Sequence, residues 1–119
     1  MEDVNLNEPS IKDMKRRFVK SFLDMLVLQL IQNEPLWGYK ILKKTEALYQ
    51  IKIRHGALYP LLNALEANGF IQSRQELRKG RLRKVYQITP KGTKLLKTFQ
   101  NFLKQQLQKP KPERKERNR

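Results

Sequence analysis

Residues 55–92 read HGALYPLLNALEANGFIQSRQELRKGRLRKVYQITPKG, and the order of elements within them decides the fold. Leu58, Leu61, Leu62 and Leu65 fall at i, i+3, i+4 and i+7, one face of a helix over residues 55–68, and Gly69 supplies a left-handed end. Two runs of strand character follow, 70–77 and 83–89, separated by Arg78, Lys79, Gly80, Arg81 and Leu82; this predicts a hairpin with a basic tip. Thr89 and Pro90 then read as cap and first residue of a last helix reaching residue 108, since the missing proline amide costs nothing at a helix start.

Working upstream, residues 11–32 predict a first helix, with Ser10 as its cap and Asp13 completing a capping box in acidic form. Residues 22–31, FLDMLVLQLI, are apolar nearly all round, which for a helix means burial on more than one side. Asn33, Glu34 and Pro35 stop it. A second helix is expected over 38–49, with Ile41, Leu42, Thr45, Leu48 and Tyr49 facing inward and Lys40, Lys43 and Lys44 outward. Residues 50–53 form a short extended link. Trp37, between Leu36 and Gly38, is expected in a core or interface.

Three helices, a basic hairpin and a further helix are the layout of a winged helix-turn-helix, a mainly α member of the α+β class. It carries an N-terminal and a C-terminal dimerisation helix. Residues 11–108 form this one domain, 1–10 a polar flexible arm, and 109–119, KPKPERKERNR, a disordered basic tail without a large apolar side chain. In such a fold the third helix enters the major groove and the wing follows the backbone. Removing its leucine face leaves Arg54, His55, Gly56, Ala57, Tyr59, Pro60, Asn63 and Glu66 outward as candidate readers. Asn63 offers the paired donor and acceptor that suit adenine, Arg54 and His55 donate to phosphate or guanine, and Gly56 lets the backbone approach closely. Arg78, Lys79, Arg81, Arg83 and Lys84 are the wing candidates, with Tyr39, Lys40 and Lys43 on the second helix for backbone contacts.

Charge agrees with this assignment. Lys and Arg number 26 against 11 Asp and Glu, a formal charge of +15, which favours a polyanionic partner. The chain has no cysteine and one histidine, His55, with no acidic cluster beside it, so thiolate sites, a metal site and cysteine chemistry are not expected. No base, nucleophile and metal set assembles from the remaining residues, and no cofactor or enzymatic activity is expected. No apolar run spans a bilayer, the first residues lack a signal-peptide pattern, and a cytoplasmic protein without a membrane partner is expected.

The strings PLWGYKILKKTE, HGALYPLLNALEANGFI and RKVYQITPKGTKLL resemble the PadR-type transcriptional regulators over residues 22–102. The matching positions are Gly38, Tyr39, Gly56, Leu58, Tyr59, Pro60, Leu62, Leu65, Gly69, Tyr86, Thr89 and Gly92. Arg54 and His55 depart from the pattern, where relatives place a small hydroxyl residue and then proline. The single terminal helix resembles the shorter subfamily. The resemblance implies a homodimeric repressor of nearby genes, released in many members by a small aromatic or amphipathic effector near the dimer interface.

The residues themselves also point to a homodimer. A last helix from 90 to 108 runs about 28 Å at 1.5 Å per residue, so its distal apolar positions project past a small winged helix. Phe18, Phe22, Met25, Phe99, Phe102, Leu103 and Leu107 are the expected interface, with Phe18, Phe22 and Phe99 near the twofold axis. A twofold dimer sets two recognition helices about 34 Å apart, suited to a pseudo-palindromic duplex site. The alternative left by charge alone is a non-specific architectural DNA- or RNA-binding protein.

Overall fold

The computed structural model describes residues 5, 8–108 and 110. Its centre is the over-apolar segment, which forms α2 (Leu23–Asn33) and buries Leu23, Leu26, Val27, Leu28 and Ile31 on several sides at once. Packed around α2 are α1 (Pro9–Ser21), α3 (Gly38–Tyr49), α4 (His55–Ala67) and the proximal part of α5 (Pro90–Leu107). One antiparallel sheet, in the order β1-β3-β2, closes the domain: β1 (Leu36–Trp37), β2 (Ile71–Arg78) and β3 (Arg81–Ile88). The mainly helical winged helix-turn-helix read from the sequence is the observed fold, with α3 and α4 as the helix-turn-helix and β2–β3 as the wing.

Several expectations need correction. The first helix is two helices, broken at Phe22, whose backbone (φ −117°, ψ 25°) leaves the helical region although its amide still reaches the Phe18 carbonyl. No proline or glycine marks the bend. It falls where one-sided burial, Val19 alone in α1, gives way to all-round burial in α2. Ser10 is not the cap: Pro9 occupies the first turn and Glu8 precedes it, so Ser10 and Asp13 lie inside the helix. The expected arm thus loses its last two residues to α1, and most of its remainder lies outside the described residues, as does the tail apart from Pro110. Leu48, placed on the inner face of α3, is exposed.

β1 was not legible at all, because two residues cannot display a strand's alternation. It pairs Leu36 with Tyr86 and Trp37 with Val85. The hairpin tip is also tighter than expected. Arg78 pairs with Arg81, leaving Lys79 and Gly80, at φ 52° and 75°, as a two-residue turn whose left-handed backbone conformation suits the right-handed twist of the strands. At the end of α4, Phe70 N–H donates to Leu65 O at 2.9 Å and Gly69 N–H to Glu66 O at 3.0 Å, the paired bonds of a Schellman end. The last helix starts as read: Thr89 Oγ1 accepts from Gly92 N–H at 3.0 Å.

Candidate nucleic-acid interface

The exposed side of α4 carries most of the expected readers. Arg54, His55, Gly56, Ala57, Pro60 and Asn63 are exposed, and Leu58, Leu62 and Leu65 are buried beneath them. Arg54 is the residue before the first turn and makes no side-chain cap bond, so the first amides of α4 are not covered by a hydroxyl. Pro60 cannot donate back to the Gly56 carbonyl, which leaves this stretch of backbone polar as well as bare of bulk.

Tyr59 is half-buried and does two things. Its ring stacks on His55 (centroids 5.5 Å, 5° between planes), and it lies against Gly38 so closely that a Cβ there would meet the ring within 2.8 Å of Cε1. The glycine is therefore what lets α4 seat against the start of α3. Glu66, by contrast, is not a reader. Its carboxylate accepts from Ser73 Oγ and faces Lys84 Nζ at 3.5 Å, tying α4 to the wing.

That tie is pH-sensitive. The Ser73 hydroxyl, then Lys84, hold the Glu66 carboxyl below its ordinary value of 4.5. A carboxyl depressed on folding stabilises above its unfolded pKa and loses that contribution as pH falls through the folded one. Acidification below about pH 4.5 should therefore destabilise the wild type more steeply than Glu66→Gln in urea titrations at stepped pH. Equal acid slopes would rule the contribution out.

The wing cations divide by partner and by face. Alternation along β3 sets Arg81 and Arg83 on one side and Leu82 and Lys84 on the other. Arg83 and Arg78 both stack on the Trp37 ring, at 5.2 and 5.7 Å from its centroid. Arg78 also donates twice to Glu76 Oε1, at 2.7 and 3.0 Å, while Arg74 bonds the same carboxylate and Gln87. These guanidiniums, Arg78 first, hold the Glu76 carboxyl below the usual carboxylate range. Lys79 and Arg81 remain exposed at the tip with no ion pair among the described residues. Leu77 and Leu82, directly paired and 71% and 72% exposed, give the tip an apolar side that charge counting overlooked. Sequence reading also missed the platform role of Trp37, over which Arg78, beside the turn, and Arg83, two residues further along β3 than Arg81, both lie.

On α3, Tyr39 is exposed with Lys43 Nζ 5.4 Å from its ring centroid, and Lys40 is half-buried. A hollow of about 350 Å³ between α3, α4 and β3 is lined by Trp37, Tyr39, Tyr59, Asn63, Arg83 and Lys84 among others. Part of each expected group, Tyr59 and Asn63 of α4, Arg83 and Lys84 of the wing and Tyr39 of α3, thus lines one concavity. Side chains there offer hydroxyl, amide, guanidinium and ammonium donors, and no carboxylate lines it.

A family model described as the transcriptional regulator PadR-like family matches residues 27–98. The chain belongs to the PadR-like family. This makes it a DNA-binding transcriptional regulator and not an enzyme. A PadR-like transcriptional regulator from Bacillus cereus superposes with a TM-score of 0.70 at 27% identity, covering 75% of this chain and 87% of the other. A PadR family regulator from Eggerthella lenta gives 0.68 at 29% identity, covering 82% and 85%. Among curated proteins, the transcriptional regulator Rv3488 of Mycobacterium tuberculosis is 46% identical over 41 residues, 34% of this chain and 38% of that protein's length.

The expected dimer residues fall into two sets in this PadR-like chain. Phe22 packs on Phe18 and on Phe99 within one protomer, centroids 5.3 Å apart in each case, so these rings bind α5 to the α1–α2 bend. Met25 and Leu103 are half-buried. Phe102 and Leu107 are 58% and 79% exposed on the distal part of α5. None of the three phenylalanines lines the hollow between α3, α4 and β3.

Proposed function

We propose that the chain is a homodimeric repressor that reads a pseudo-palindromic site in double-stranded DNA and acts in the cytoplasm. The observation that supports the reading is that Tyr59 and Asn63 of α4 share one acid-free concavity with Tyr39, Arg83 and Lys84. Such a surface separates naturally into base contacts and backbone contacts. Asn63, Arg54 and His55 face the bases; Lys79 and Arg81 at the tip, with Tyr39 and Lys43, hold the phosphates. The distal part of α5, with Phe102 and Leu107 exposed and Leu103 half-buried, supports pairing of two copies, joined by Phe18, Phe22, Met25 and Phe99 where the bend meets α5.

Selection of duplexes from random DNA tests the reading. Enrichment of one motif with twofold symmetry is expected, and a pool that stays random would favour a non-specific architectural protein. On the enriched site, Asn63→Ala should lose about 1–3 kcal/mol of discrimination at one base position. Lys79→Ala with Arg81→Ala should instead weaken all duplexes alike and reduce the salt slope by about two. The division of labour fails if both changes affect specificity equally.

A further inference from the structure

The positive surface does not stop at the elements discussed so far. A cleft of about 820 Å³ lies between α1 and the start of α4, with Arg16 and Lys20 from α1, Lys52 and Arg54 from the connector, and Gly56 and Ala57 from the first turn of α4 on its walls. No acidic residue lines it. None of these four cations has an ion pair or side-chain hydrogen bond among the described residues. This is unlike the wing, where Glu76 and Glu66 occupy Arg74, Arg78 and Lys84. A bond from Lys15 Nζ to Gln50 Oε1, 3.3 Å long, helps hold the basic side of α1 against the connector.

The cleft is also continuous with the reading surface. A smaller hollow of about 230 Å³ shares Lys52 and Arg54 with it, and adds His55, Lys43 and Tyr39. Tyr39 in turn lines the hollow at the wing base. A contour of cations and hydroxyls therefore runs from the wing, around the N-terminal end of α4, to α1. Glu46, in the middle hollow, is its one acid.

We propose that Arg16, Lys20 and Lys52 are a second backbone contact, neutralising phosphates of the duplex that continues past the start of α4 on the side away from the wing. The inference rests on the DNA-binding reading above and extends its footprint to residues that neither motif nor wing geometry assigns. A phosphodiester fits the cleft because Arg16, Lys20, Lys52 and Arg54 on its walls have no ion pair among the described residues, while Leu23, Ile51 and Ile53 beneath them are 5%, 8% and 9% exposed.

The test is the affinity of the full chain for its selected duplex over a range of salt. Arg16 and Lys20 are exposed, so Arg16→Ala/Lys20→Ala should keep the fold, checked by circular dichroism and melting. Each lost phosphate contact removes about 0.9 from the slope of log affinity against log salt, so the slope should fall by nearly two. The deficit against wild type should accordingly narrow about tenfold between about 50 and about 200 mM salt. Lys94→Ala/Lys97→Ala, two exposed charges on α5, should leave the slope unchanged and controls for net charge. Hydroxyl-radical footprints should lose backbone protection on the flank opposite the wing. A folded double variant with wild-type slope and footprint overturns this proposal alone; a wild type that binds no duplex at any salt overturns the DNA reading with it.

Discussion

Gly92→Ala should unfold this protein at a markedly lower temperature, although it replaces glycine by the best helix former in an α-helix. Propensity alone predicts a gain of about 1 kcal/mol. Packing predicts the opposite and is the larger effect. Gly92 is buried in the first turn of α5, where an added Cβ would stand on the carbonyl oxygen of Phe70 and 2.8 Å from Ile88 Cγ1. The oxygen is not free to retreat, since it accepts the Thr89 N–H at 3.1 Å, while Thr89 Oγ1 donates to Gly69 O at 2.6 Å and accepts from Gly92 N–H. One methyl thus pushes on the junction of α4, β2 and α5 together. Overpacking a rigid site costs about 1–3 kcal/mol or somewhat more, which for a domain of this size lowers the melting temperature by roughly 5 to 15 °C. Thr93→Ala, next along the helix and exposed, should stay within about 0.5 kcal/mol of wild type. A Gly92→Ala protein that melts at or above the wild type would show that the turn relaxes, and that α5 is less firmly seated than its contacts imply.

The same junction explains what could be read from the sequence. Thr89, Pro90 and Gly69 act through local backbone chemistry, and local chemistry is printed in sequence, so the start of α5 was legible to the residue and the end of α4 to within one. The leucine face of α4 was legible for a similar reason, its period being set by the helix itself. The bend at Phe22 was not, because its cause is tertiary: Phe22 turns between Phe18 and Phe99, a residue 77 positions away in the chain. β1 was invisible because its stability comes from pairing with β3 rather than from any pattern of its own.

The site divides along the same line. Exposure on α4 followed from subtracting its buried face, and Arg54, His55, Gly56, Ala57, Pro60 and Asn63 stand where that subtraction put them. Charge on the wing was countable, but its availability was not. Glu76 restrains two of the arginines and Trp37 carries two, and these partners meet only through the register of β2 on β3 and of β1 on β3. Glu66 was misjudged on the same ground: a carboxylate on the outer side of a helix is solvated until a folded wing brings Ser73 and Lys84 to it.

Replacing Phe102 and Leu107 together by glutamate should separate the proposed dimer without unfolding its protomers. Both side chains are more than half exposed in the single chain, and the contacts that seat α5, Leu96 in the core and Phe99 against Phe22, lie nearer its start. Four carboxylates would then face one another across a twofold contact that has apolar groups on both sides, with no water to spread their charge. The wild type is expected to sediment at twice the 14.2 kDa chain mass and the variant at the chain mass itself. The functional consequence is larger than the change in contact area. In a dimer the second recognition helix binds as an intramolecular event, so losing the pairing should lower affinity for a two-half-site duplex by about 10²–10⁴-fold. Affinity for an isolated half-site should hardly change, because α4 and the wing are untouched. Melting of the wild type should rise with protein concentration and that of the variant should not. A variant that still sediments as a dimer would move the interface off the distal part of α5, whereas a wild type that is already monomeric would leave each α4 to bind alone and remove the reason for a palindromic site.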